Sequence, residues 1–434
     1  MVQALFSILL FLRLFSVVTL ALSTPQQNQC NPPNQPIRAG FYLSNSNHYP
    51  LISSINPSLY THLYYTSISS DTSSLSIFSP TLKSKDPSLK TLLSLTPDTS
   101  VFVEYDDFFN FTVETVLANG FDGLDLMLQY PISRSEVINF ALLIRRFRVR
   151  LNDASRPLLL TATVYFSNHI FDGPSGGLDY PTSIMSSDLD WINVASFGFY
   201  NSTNVTVFDA PLYDKSSHFS ASYGITSWID AGVPPCKLVM GLPLYGRSYV
   251  LKNKSKNALG APVVADGPKQ RVSNHTGIMA YSEIEELLLD KDAVFVYDNT
   301  TVASYFYSGD IWVSFDGVDV IKEKIDFASK YRLQGFFLWP INYDNSNYTV
   351  STLASEAWIE RYSSSYENND GFTQAAAAAP FELPPLENTQ GPNITSGSSK
   401  LIQRSLVIVG YITTSSWIIF FSLLNNYFLS LSHT

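Results

Sequence analysis

Residues 120–131, GFDGLDLMLQYP, set two carboxylates, Asp122 and Asp125, in an otherwise apolar run. Paired carboxylates can do acid–base work when one donates a proton and the other acts as base or nucleophile. The run continues instead into Met127 and Gln129. A carboxamide has no proton of useful acidity at ordinary pH, and a thioether offers only a polarisable apolar surface. The stretch reads as a buried strand opening into a site that is either an enzyme's or the shell of one.

No other motif supplies the missing chemistry. The chain holds no P-loop and no H-E-x-x-H. Its six His are scattered without ligand spacing and C-x-x-C is absent, so neither a metal nor a cofactor is expected. Asp316 and Asp344 can sit near a barrel mouth, but single unpaired carboxylates do not make a glycosidase pair and are expected to be solvated. The formal net charge of −10 argues against nucleic acid as the main partner, because phosphate binding needs clustered Lys and Arg. Aromatic residues make up 14% of the chain; those not in the core can stack on the apolar faces of sugar rings.

The elements that position these residues follow from pattern. At 434 residues and 45% hydrophobic, the chain can bury one large domain plus appendages. Near-continuous apolar runs at 37–43, 61–69, 89–95, 120–128, 156–166, 190–200, 237–246 and 333–342 read as strands covered on both faces. Helical patterns lie between them. At 133–151, Val137, Phe140, Ala141, Ile144 and Phe147 form one stripe, with Ser133 or Ser135 able to cap the start. Eight β–α units point to an α/β fold, a (β/α)8 TIM barrel, with a doubly wound open sheet as the alternative. The barrel is expected over 36–247 and 312–361, with a small α+β insertion over 248–311.

The ends read differently. Residues 1–23 form an apolar run closing on small residues, the pattern of a secretory signal peptide or an uncleaved anchor. Residues 362–404 read as a low-complexity linker and 405–434 as a hydrophobic tail. The tail fits a lipid-anchor signal, with Ser396, Gly397 and Ser398 as its small residues, or a plain transmembrane helix. Sequons at Asn110, Asn201, Asn204, Asn253, Asn274, Asn299, Asn347 and Asn393 support secretion. Cys30 and Cys236 can pair but make no framework.

At the strand ends, GFDGLDLMLQYP, LDWINVASFGFY, KLVMGLPLYGR and GFFLWPINYD follow one another in an order that resembles glycoside hydrolase family 18. The likeness is greatest to plant class V chitinases and to the chitinase-like ectodomains of plant receptor kinases, and runs from about Ile37 to Trp358. The family's fourth strand reads D-x-x-D-x-D-x-E. Its Glu protonates the leaving oxygen, and its last Asp orients the substrate acetamide, which is itself the nucleophile. The resemblance maps these positions onto Asp122, Asp125, Met127 and Gln129. It implies that Asp125 is deep support, neutral or hydrogen-bonded. The sixth strand's M-x-Y-D falls on Ala195, Phe197 and Gly198, and the third strand's S-x-G-G on residues 94–97.

What the resemblance retains is a groove wall. Trp339 matches the tryptophan beneath the central sugar, and Tyr42, Tyr245, Arg247 and Tyr343 fall at or near strand ends. Trp339 and Tyr245 can equally fill the mouth as core, and Arg247 can be an ion-pair partner of Asp316 or Asp344. The expectation is a secreted, surface-anchored, chitinase-like protein of little or no activity. Its partner is a carbohydrate, N-acetylglucosamine oligomers or another wall glycan, held without cofactor. The alternatives are a protein-binding or inhibitor module and a weak glycosidase.

Overall fold

The computed structural model describes residues 36–44, 51–67, 74–97, 106–129, 133–171, 177–200 and 203–367. The expected signal segment, the hydrophobic tail, most of the linker, Cys30, Asn201 and Asn393 lie outside the described residues. Among the described residues no helix is long and apolar enough to cross a membrane.

Five strands come first: β1 (Ile37–Ser44), β2 (His62–Ser67), β3 (Lys90–Leu95), β4 (Gly123–Leu128) and β5 (Leu159–Val164). A short hairpin, β6 (His169–Ile170) and β7 (Leu178–Asp179), precedes β8 (Trp191–Val194) and β9 (Leu238–Pro243). The closing strand is β16 (Gly335–Trp339), and the order β1-β16-β9-β8-β5-β4-β3-β2 is a closed barrel. Every neighbouring pair in it is parallel. This is the expected TIM barrel. Each strand faces helices on one side and the barrel axis on the other, which is why its run is apolar at both parities.

The outer layer includes α1 (Leu75–Lys85), α2 (Asp106–Ala118), α3 (Arg134–Asn152), α4 (Thr182–Asp188) and α5 (Ala221–Asp230). The Ser133 hydroxyl caps α3 by accepting the Glu136 N–H at 3.2 Å, and Phe140, Ala141, Ile144 and Phe147 are its buried stripe. After the insertion helix α6 (Tyr281–Leu288) come α7 (Val318–Lys330) and α8 (Thr349–Glu367), which runs past the expected barrel limit at 361.

The insertion is wider than expected. A single residue, Leu244, separates the end of β9 from β10 (Tyr245–Leu251), and β15 (Ile311–Phe315) returns the chain to the barrel. Between them lie β11 (Val263–Asp266), β12 (Ile278–Ala280), β13 (Val294–Asp298) and β14 (Ala303–Ser308), in a sheet ordered β11-β10-β15-β14-β13 with β12 also on β10. Tyr245 and Arg247 therefore belong to the insertion sheet, not to the barrel strand that the sequence run seemed to continue. Cys236, just before β9, is disulfide-bonded.

Candidate functional site

Strand β4 sets the site's axis. Side chains alternate along a strand, so Asp125 and Met127 share one face and Gln129 continues it. Asp125 is fully buried. Its carboxylate accepts from Ser94 Oγ at 2.7 Å, Thr161 Oγ1 at 2.7 Å, Thr163 Oγ1 at 2.9 Å and Asn193 Nδ2 at 3.2 Å. Three other barrel strands, β3, β5 and β8, thus supply the donors. Beyond them, Trp191 Nε1 donates to the Tyr64 hydroxyl at 2.9 Å, and Asn193 Nδ2 donates to the same oxygen at 3.1 Å. Burial pushes the Asp125 carboxyl above its ordinary value, and the four donors pull against that push. A carboxylate so enclosed is structural.

Two residues further along β4 the surroundings become apolar. Met127 is half-buried and packs with Phe41, Tyr64, Ala195, Phe197, Phe337, Tyr245 and Trp339 in one cluster. Phe41 stacks on Tyr64 at 4.1 Å and lies 5.2 Å from the Trp339 ring. Phe197 sits edge-on to Tyr245 at 6.1 Å and to Phe337 at 6.0 Å. Trp339 and Tyr245 stay half-buried, so their rings face both this cluster and the mouth. The Trp339 carbonyl accepts the Leu244 N–H at 2.7 Å, tying the end of β16 to the start of β10. Gln129 is half-buried, and its main-chain carbonyl accepts the Tyr180 hydroxyl at 3.0 Å.

Other expected residues stand elsewhere. Asp122 precedes β4, at the opposite end of the barrel from the mouth. It accepts the Thr91 N–H at 2.8 Å and pairs with Lys83 at 2.6 Å, so it latches β3 and α1 rather than meeting a ligand. Tyr42 is 1% exposed and points outward, its ring 5.5 Å from Phe78 of α1. Phe41, one residue earlier, holds the inward place. The signal for it was the period of two from Ile37 and Ala39, which sit in the same inner cluster. The Tyr343 hydroxyl donates to the Ser273 carbonyl at 3.1 Å, toward the insertion.

Asp316 and Asp344 are buried, not solvated. Asp316 pairs with Lys324 of α7 at 2.5 Å. Asp344 accepts from the Ser351 hydroxyl at 2.6 Å and from the Ser351 N–H at 2.8 Å, within the start of α8. The carboxylates whose fields act on Arg247 are Asp209 first and Asp266 after it; Asp209 has no sequence signal because it lies in an irregular loop. No grouping of His, Cys, Asp and Glu able to hold a metal occurs among the described residues.

A closed parallel barrel, an α+β unit on its loop face and aromatic rings at the strand ends define a TIM-barrel protein with an insertion between its last two barrel strands. The profile of Glycosyl hydrolases family 18 matches residues 38–344. The chain belongs to that family. It is 35% identical over 338 residues to Nod factor hydrolase protein 1 of Medicago truncatula, covering 70% of this chain and 86% of that protein. A class V chitinase mutant from Nicotiana tobaccum, in complex with NAG4, superposes with a TM-score of 0.68 at 30% identity, covering 75% of this chain and 99% of that one. A chitinase-like agglutinin from Robinia pseudoacacia does so at 0.62 and 31%, covering 74% and 99%.

Proposed function

We propose that this family-18 protein binds a neutral carbohydrate, a chitin-type oligosaccharide or a related wall glycan, with little or no hydrolysis. The observation that carries the reading is the succession on the inner face of β4. Asp125 is enclosed by four donors, Met127 joins an aromatic cluster, and Gln129 ends the face without an acid. In this reading Gln129 stands where the family's proton donor stands and Met127 where the acetamide-orienting carboxylate stands. Phe197 and Gly198 stand in place of the sixth strand's Tyr and Asp. General acid catalysis contributes about 10²–10⁴-fold, and a carboxamide cannot supply it. Half-exposed Trp339 and Tyr245 keep the faces on which a sugar ring can lie.

The agglutinin relative supports binding on this scaffold, and the NAG4 complex of the tobacco protein supports an oligosaccharide as its ligand class. A cell-surface setting belongs to the same proposal. The sequon residues Asn110, Asn204, Asn253, Asn274, Asn299 and Asn347 are all exposed, as glycan attachment requires.

Calorimetry of the full-length glycoprotein with N-acetylglucosamine oligomers and neutral wall glycans tests the reading, alongside chromatographic detection of cleavage products. Binding without products is expected. Silence toward every glycan would leave the protein-binding alternative, to be pursued by capture from wall extract. Ready turnover would return the chain to the active chitinases.

A further inference from the structure

The insertion helix α6 and the loop after β16 enclose a cavity of about 780 Å³, lined by none of the rings of the strand-end cluster. Its walls are held by hydrogen bonds. Glu283 of α6 is buried and accepts the N–H groups of Val272, Ser273 and Ala280, the last two at 3.3 and 2.9 Å. The segment before β12 is thereby fixed to the helix. On the other wall, Asn345 Nδ2 donates to Glu285 of α6 at 2.5 Å and to Thr349 Oγ1 at 2.7 Å. Asn345 Oδ1 accepts the N–H of Asn347 at 3.0 Å and of Thr349 at 3.1 Å. The volume lies within the range of about 300–1,000 Å³ typical of small-molecule sites.

The lining suits a neutral, hydroxyl-rich molecule. Leu289, just past α6, is 86% exposed, the most exposed large apolar side chain among the described residues. One exposed leucine is ordinary on a protein surface. This one stands in a concave space beside Tyr281 and Tyr343, where the apolar C–H face of a sugar ring can lie. The polar lining is balanced in charge: Arg271 stands 3.6 Å from Glu286, and Glu285 is engaged by Asn345.

The cavity also has an attachment point of its own. Asn347 lines it, is exposed, and opens the sequon Asn347-Tyr348-Thr349. Tyr348, at φ +55°, sends its hydroxyl to the Ser54 carbonyl at 2.6 Å, so the middle residue of the sequon is anchored outside the cavity lining while Asn347 stays within it.

We propose that the N-linked glycan of Asn347 folds back into this cavity, its first sugars covering Leu289 and bridging the insertion to the loop after β16. This rests on the glycosylated, cell-surface setting proposed above and is independent of what the mouth binds. In the attachment step the Asn347 amide nitrogen displaces a lipid pyrophosphate from the donor oligosaccharide and gives up one proton. The tether makes docking intramolecular, so a weak contact with Leu289 and the tyrosines suffices to hold the glycan.

The experiment uses the full-length glycoprotein, made in cells that leave its glycans as oligomannose chains. An endoglycosidase that cuts between the first two N-acetylglucosamine residues is applied to the native protein, and release at each sequon is followed by glycopeptide mass spectrometry. A glycan docked about nine-tenths of the time is cut about tenfold more slowly than a free one. Release from Asn347 should therefore lag release from the exposed Asn253 and Asn299 by about tenfold. Leu289→Ser, at a position too exposed for the fold to depend on it, should bring Asn347 to within about twofold of those sites. Equal release in wild type would overturn the proposal. So would protection that survives Leu289→Ser, or an Asn347 left bare while other sequons carry glycans. Absence of glycan at every sequon would instead remove the glycosylated setting, and this inference with it.

Discussion

The inner layer of the barrel and its mouth are two residues apart on β4, yet they are built on opposite principles. In the inner layer a buried carboxylate is surrounded by hydroxyl and amide donors from β3, β5 and β8. At the mouth the same inward face carries Met127 among aromatic rings. Buried polar networks are costly unless every member is satisfied. The inner layer meets that demand within the chain itself, so it persists whether or not chemistry takes place above it. The contrast separates a carboxylate held by the fold from a stretch of the same face that carries no acid.

The contrast can be broken from its stable side first. Asp125→Ala strands four buried donors and should destabilise the protein by about 3–5 kcal/mol in chemical denaturation. A change below about 1 kcal/mol would mean that the network is not structural.

The base of the barrel carries a pH signature. Burial holds His62 down to about 4, with Asp122 opposing and Lys90 assisting. Unfolded, the imidazole takes a proton below about 6.5, which the folded state resists. Stability is therefore lost as the pH falls from about 6.5 toward 4, by about 2–3 kcal/mol. The raised buried carboxylates work the other way, their cost growing as the pH rises through their upward-shifted values. The difference between wild type and His62→Asn in thermal melts at pH 7 and pH 4.5 isolates the imidazole. Parallel melting curves at the two pH values would remove it from the account.

The mouth side is sharpened by Trp339→Ala. Glycan affinity should fall by about 2 kcal/mol, roughly thirtyfold, by calorimetry. An unchanged affinity would place the ligand elsewhere. The smallest expected effect is that of Gln129→Glu. Placing an acid at one position, with Met127 and Phe197 unchanged, should leave hydrolysis of chitin oligomers at background. Measurable turnover would show that a single acid suffices at this mouth.

Much of this was legible in the chain. The closed barrel followed from eight apolar runs separated by helical patterns, because strands covered on both faces must be apolar throughout. That same uniformity hid the orientation of β1. Tyr42 and Phe41 are equally apolar neighbours, and a one-residue shift exchanges the groove for the helix layer. The insertion's start was hidden for a related reason, since β9 and β10 are one residue apart and read as one run. The ion pairs were not legible at all. Lys324 lies on a helix and Asp316 eight residues before it, and only their joint burial makes them partners.

The sequence by itself determined the architecture and the absence of an acid at 127 and 129, because strand composition and residue identity are local properties. The tertiary structure alone decided that Phe41 lines the mouth, that Asp122 latches the far end of the barrel, and that the Asp209 main chain ties the end of β8 to Ser314 of β15. Those are contacts between segments distant in the chain. Barrel closure and the docking of the insertion sheet set them, and no local pattern encodes either.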